Sequence, residues 1–266
     1  MNSSNPVLGR ITAATQQPTY SVPGGPAGTG VDYGTQYGPV QTGVRDVMTI
    51  DDVVVKTVSL LGVTALLAAV TWAIVPVTAL YPTFIAAMIV GLVLGLIISF
   101  AQVTNPVILF TYAIVEGVFL GAVSKTYNAA FGGGIVVSAV IATLSVFIVM
   151  AALYKTRIIR ATPKFMKVVI GAMAGLFVVG LVNVGIYLFT GSPGPLRDGG
   201  PLAIGFSLVS IIVAALMFVV SFKQIEDGVA AGLPRKYGWL GAFGLLVELI
   251  WMYLEFLRLI SYFSED

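Results

Sequence analysis

The sequence contains no histidine and no cysteine, and only 10% of its 266 residues are charged. Without histidine there is no imidazole to serve as a general base and no nitrogen ligand for zinc. Without cysteine there are no disulfides and no thiolate metal sites, and composition carries no clue to redox compartment. The scarcity of charge excludes more. A soluble globular protein carries about 25% charged residues, because charge is what its surface presents to water. Here 58% of residues are hydrophobic and mean hydropathy is +0.97, so most of the surface must face hydrocarbon. A net charge of +2 is too small to suggest a nucleic-acid partner.

What is present falls into two parts. Residues 1–49 are rich in Gly, Pro, Ser, Thr, Gln and Tyr, as in the runs Tyr20–Pro26 and Tyr33–Pro39. Such a segment cannot bury enough apolar surface to offset its ordering entropy, so it reads as a disordered polar tail. It lacks the basic start and apolar run of a signal peptide. Its tyrosines could engage a partner, but a solvated extension is the simpler reading.

Residues 50–266 read as a transmembrane domain. Thr49, followed three residues later by Asp52, has the pattern of a capping box that opens a helix. Crossing about 30 Å of hydrocarbon takes roughly 20 apolar residues in a helix. Seven runs reach that length: 54–75, 80–100, 106–124, 133–154, 165–190, 201–221 and 238–262. Pro76, Pro82, Asn105-Pro106, Gly132–Gly134, Pro163, Gly191–Pro195 and Gly232–Pro234 punctuate them with turn chemistry. A membrane β-barrel would show alternating strands of about ten residues; these runs are apolar all round. The expected fold is therefore an all-α integral membrane protein of seven transmembrane helices. With the N-terminus inside, the cytoplasmic segments hold 11 Lys and Arg and the outer segments only Lys125, Arg197 and Arg258. That asymmetry predicts a cytoplasmic N-terminus, an outer C-terminus, and a plasma or inner membrane location.

An ionisable residue inside a bilayer is costly and is by default a functional hypothesis. Glu116 lies in the middle of span three and Glu248 in the middle of span seven, with Glu255 and Arg258 further along. Spans three and seven run in the same direction, and each carboxylate falls about ten residues past its span's start, near the midplane. Glu248 and Glu255, seven residues apart, share a face about 10 Å apart along the axis. Glu255 and Arg258, three apart, can pair on the helix surface and read as a structural ion pair, with Arg258 open to Glu116 as well. Glu248 has no cation at its depth and reads as functional, in an ion or proton path. The patterns Gly91-x-x-x-Gly95, Gly117-x-x-x-Gly121 and Gly171-x-x-x-Gly175 read as places where helix backbones approach closely. The second follows Glu116 directly and could help to enclose it.

Enzyme chemistry finds little support. A Ser–His dyad is impossible without histidine, and no span contains an Asp for an aspartyl intramembrane protease. Span seven has no lysine to carry a retinal Schiff base, and no phosphate-binding loop sequence occurs. No cofactor is expected.

Four segments carry a resemblance. They are Met48-Thr-Ile-Asp-Asp-Val-Val-Val-Lys-Thr57, Glu116-Gly-Val-Phe-Leu-Gly121, Phe222-Lys-Gln-Ile-Glu-Asp-Gly228 and Tyr253-Leu-Glu-Phe-Leu-Arg-Leu259. Together with seven spans, they resemble the Bax inhibitor family (the transmembrane BAX inhibitor motif proteins), in its bacterial YccA-like and YetJ-like branches, from about Met48 to Phe263. The resemblance implies six helices around a central seventh. It implies a pH-sensitive calcium leak channel, gated by a pair of acids on helices six and seven. Glu248 matches the acid of helix seven. Ser221 stands where the acid of helix six would be, and Glu226 and Asp227 are the nearest acids in sequence. Span two carries no charge where the family has a cationic latch.

Calcium binds tightly through six to eight oxygens, so one midplane Glu implies a weak, passing site and no high-affinity metal. The expected partners are membrane lipid and calcium ions or protons. A second reading is a regulatory membrane protein that binds a membrane protease, as YccA-like relatives do, in which the tail and the basic loop 155–167 would matter more. A proton-coupled transporter is a third.

Overall fold

Inside a bilayer no water is available for backbone N–H and C=O groups, and a continuous helix satisfies them within one segment. Each of the seven apolar runs takes that solution. The computed structural model describes residues 46–264 except Gly133, Ser192 and Pro193, so most of the expected tail lies outside the described residues. The helices are α1 (Ile50–Ile74), α2 (Leu80–Ala101), α3 (Pro106–Phe131), α4 (Gly134–Lys155), α5 (Pro163–Thr190), α6 (Pro201–Ala230) and α7 (Gly238–Tyr262). All seven are long and apolar enough to cross a membrane. The protein is a multi-pass α-helical membrane protein.

The local signals explain most of the ends. Thr49 caps α1, its hydroxyl accepting from the Asp52 amide at 3.1 Å. Asn105 caps α3 through the Val107 amide at 2.9 Å, with Pro106 at the first helical position, where its missing N–H costs nothing. Two helices outrun their apolar runs. α3 continues past residue 124 to Phe131, and α6 past 221 to Ala230. A hydropathy boundary marks where the membrane ends, not where the helix does. Beyond it α6 carries Lys223, Glu226 and Asp227 while still burying Ile225 and Gly228.

The position of α7 organises the rest. Of the most apolar stretch of each helix, 61% is buried in α7, against 17% in α2 and 6% in α5. α6, α1, α4 and α3 pack directly on α7, while α2 packs chiefly on α3 and α5 on α6. Leu246, Ile250, Tyr253 and Leu257 join one core with α1, α3 and α4. Leu245, Leu249 and Met252 join a second with Phe218 and Val219 of α6. α7 is thus a wedge between two cores, and Glu248 and Glu255 lie on a third stripe of it. The outer helices reverse the pattern of a soluble protein: Phe100 of α2 and Phe177 of α5 are exposed, as lipid-facing side chains must be.

Close approach accounts for two of the three glycine pairs. A Cβ at Gly117 would come within 2.6 Å of the Thr64 carbonyl, and one at Gly121 within 2.5 Å of the Ala68 carbonyl. α1 and α3 therefore cross backbone to backbone. Gly91 and Gly95 of α2 face the side chains of Glu116 and Tyr112. The expectation of close packing fails for Gly171 and Gly175, which have open space where a Cβ would be; α5 is too peripheral to meet another helix there.

At the face holding the start of α1, a clasp joins the chain ahead of that helix to the α6–α7 connection. The Met48 amide donates to the Leu233 carbonyl at 2.8 Å and the Arg235 amide to the Asp46 carbonyl at 2.7 Å, with Val47 and Pro234 bridged antiparallel. The Asp52 carboxylate completes no reciprocal capping box. It binds Lys56 Nζ at 2.5 Å and Arg235 Nε at 2.8 Å instead. Lys56 also donates to the Arg235 carbonyl at 2.7 Å and sits 5.2 Å from the Trp239 ring centre. The folded unit thus begins ahead of Ile50.

Candidate functional site

Glu248 sits ten residues into α7 and is only 4% exposed. Ser221, on the facing turn of α6, donates its hydroxyl to Glu248 Oε1 at 2.5 Å. The other oxygen, Oε2, is buried and has no hydrogen-bond partner among the described residues. Buried polar atoms are nearly always paired, so an orphan on a carboxylate asks for an explanation such as a proton, an ion or a catalytic role. Beside Ser221, an aromatic column of Phe218, Phe222, Phe147 and Tyr154 fills the space between α6 and α4, with ring centres 5.1–6.3 Å apart.

The second buried acid of the spans has different neighbours. Glu116 is buried on α3, with Oε1 only 2.7 Å from where a Gly91 Cβ would stand. Tyr112, one turn earlier, is buried beside it and sets its ring edge-on to Phe243 of α7, 5.0 Å between centres. Enclosure of Glu116 therefore comes from Gly91 of α2, while Gly117 and Gly121 are turned toward α1. Among the described residues no hydrogen bond or ion pair joins Glu116 to Glu248 or to Arg258.

Two turns beyond Glu248, Glu255 is fully partnered. Arg258 Nη1 binds its two oxygens at 2.8 and 2.9 Å, and Trp251 Nε1 donates at 3.3 Å. Both side chains of the pair are largely buried, Glu255 6% and Arg258 15% exposed.

Glu226 and Asp227 do not reach Glu248. They are exposed on the helical extension of α6, where the Tyr154 hydroxyl donates to Glu226 and Lys223 pairs with Asp227. The serine, not the nearest acids, faces the α7 carboxylate. Among the described residues no three acidic side chains gather as a metal would require; around Glu248 a cation would meet one carboxylate and one hydroxyl. Other polar contacts gave no warning in the sequence. Ser124 of α3 binds the Tyr253 hydroxyl at 2.7 Å. Lys125 donates to the last carbonyls of α1, Trp72 at 2.8 Å and Val75 at 2.7 Å. Asp52–Lys56 and Lys223–Asp227, each four apart, are pairs that spacing could have found.

Seven helices long and apolar enough to span a membrane, with two buried acids on the central one, define a class of polytopic membrane protein. A family model described as Bax inhibitor 1 like matches residues 5–265. The chain belongs to the Bax inhibitor 1-like family. None of the curated proteins matches it.

Proposed function

We propose that the protein is a cation leak channel for calcium, with Glu248 as the acid in its path. The observation that carries this reading is the orphan Oε2 of a buried carboxylate on the central helix. Desolvation disfavours a lone buried charge, so such a group is suited to exchange a proton or to meet a passing cation. Ser221 holds its other oxygen and fixes its orientation across the α6–α7 interface. A site of one carboxylate and one hydroxyl falls far short of the six to eight oxygens of a tight calcium site. Weak, transient binding suits conduction. Glu116, at similar depth, would add negative charge to the path rather than a ligand to the same ion. The proposed orientation places the α1 N-terminus in the cytoplasm and the C-terminus outside, following the basic residues.

The test is calcium flux into dye-loaded proteoliposomes between about pH 5 and 8, wild type beside Glu248→Gln. Flux whose pH dependence disappears in the variant supports the reading. An unchanged pH profile removes Glu248 from the path, and no flux from folded wild-type protein removes the channel itself. In that last case a regulator bound to a membrane protease becomes the account to test, by pull-down after tail deletion. The deletion should stop short of Asp46, because Asp46 and Met48 pair with the α6–α7 connection.

A further inference from the structure

We infer that the groove between α1 and α4 is a binding site for one acyl chain of a phospholipid whose phosphate is met by Lys125. The groove has a volume of about 500 Å³, with α3 and α7 as its floor and Leu61, Ala65, Ala69 and Trp72 of α1 along one wall. Ala65 and Ala69 are exposed, as are Val140 and Leu144 of the opposite wall. The groove is therefore open sideways, toward the lipid.

Three features select the occupant. The first is length. Leu61 to Trp72 spans about 16 Å of helix, close to half of a hydrocarbon core of about 30 Å, which is one leaflet. The second is width. A polymethylene chain in contact with its neighbours at about 4 Å needs roughly 20 Å² of cross-section, and a groove of about 500 Å³ spread over that length accommodates one.

The third is charge at the mouth. Lys125 adjoins Ser124, which lines the groove, and donates to the carbonyls of Trp72 and Val75. An ammonium has three donors, and no carboxylate pairs with this one among the described residues. Trp72 and Lys125 are the residue types that sit at headgroup level, so the third proton is placed for a lipid phosphate. The chain below it would touch Leu249, Ile250 and Tyr253 of α7. The occupied groove thus presses on the same helix that carries Glu248, although the site itself does not depend on channel activity.

The test uses the full chain in nanodiscs containing a phospholipid with a photoreactive diazirine in its acyl chain, the labelled peptides being mapped by mass spectrometry. Labelling is expected to concentrate on the facing walls of α1 and α4, above that on the lipid-exposed face of α5. Ala65→Phe/Ala69→Phe fills the groove and excludes several methylenes, so groove labelling should fall at least about tenfold while α5 labelling stays. Lys125→Gln should remove the preference for phospholipid over a diacylglycerol probe with the same chain. The unchanged α5 label and thermal melt report folding, and Ala69→Leu offers the same comparison with less added bulk. Even labelling of all lipid-facing helices, or groove labelling unaffected by filling, overturns the site. A bifunctional crosslinker that joins α1 of one copy to α4 of another, with the groove left unlabelled by lipid, would assign the groove to a second copy and overturn the site too.

Discussion

Glu248 and Glu255 are the same residue type on the same helix, seven positions apart and both buried, yet their surroundings differ in kind. Both oxygens of Glu255 are held by Arg258, with Trp251 adding a third donor. Glu248 has one serine hydroxyl and one orphan oxygen. A buried carboxylate whose charge and lone pairs are answered is part of the framework. One left half-answered can change state, because a proton or cation can take the open position without breaking anything. It is on this contrast, more than on burial or sequence position, that the proposal assigns Glu255 a structural role and Glu248 a functional one.

The largest effect should come from breaking the framework acid. Arg258→Met leaves Glu255 charged and unpaired inside the bundle, which should cost about 3–5 kcal/mol, read as a large drop in melting temperature in detergent. Glu255→Gln/Arg258→Met should recover most of that loss, since removing both members of a buried pair is often close to neutral. Ser221→Ala comes next. It strips Glu248 of its only hydrogen-bond donor among the described residues and should destabilise by about 1–3 kcal/mol. Ser221→Asp sharpens the contrast in the other direction: two carboxylates facing one another cannot both ionise freely, so the flux profile should shift along the pH axis relative to wild type.

Asp52→Ala, in the clasp, leaves the largely buried Lys56 without its carboxylate and should cost about 1–3 kcal/mol, with no effect on the pH dependence of flux. Glu248→Gln should change stability by no more than about 1 kcal/mol, because the amide oxygen can still accept from Ser221. Thermal melts of the two variants, set beside their flux profiles, separate a residue that conducts from one that only holds.

Much of the fold was legible in the sequence because bilayer thickness translates directly into run length, and all seven runs became helices. The juxtaposition of Glu248 with residue 221 followed from the family resemblance. What composition could not convey is who faces whom. Glu226 and Asp227 are near Ser221 in sequence, but five or six helical residues carry them about 8 Å along the axis, out to the polar end. Small-residue spacing announced close packing without naming the neighbour. Gly91 turned out to shelter Glu116, and Gly171 met nothing. The clasp was hidden because its backbone pairing joins Asp46–Met48 to Leu233–Arg235 across most of the chain. The groove was hidden because it is the space left where α1 and α4 do not meet.

The most direct measurement is cation flux between about pH 5 and 8 for wild type, Glu248→Gln and the double variant Glu255→Gln/Arg258→Met, reconstituted side by side. The account predicts that Glu248→Gln alone loses the pH dependence, while the double variant keeps the wild-type profile. A Glu248→Gln profile unchanged from wild type, or a double variant that loses pH dependence in the same way, would contradict the division of α7 into one functional and one structural acid.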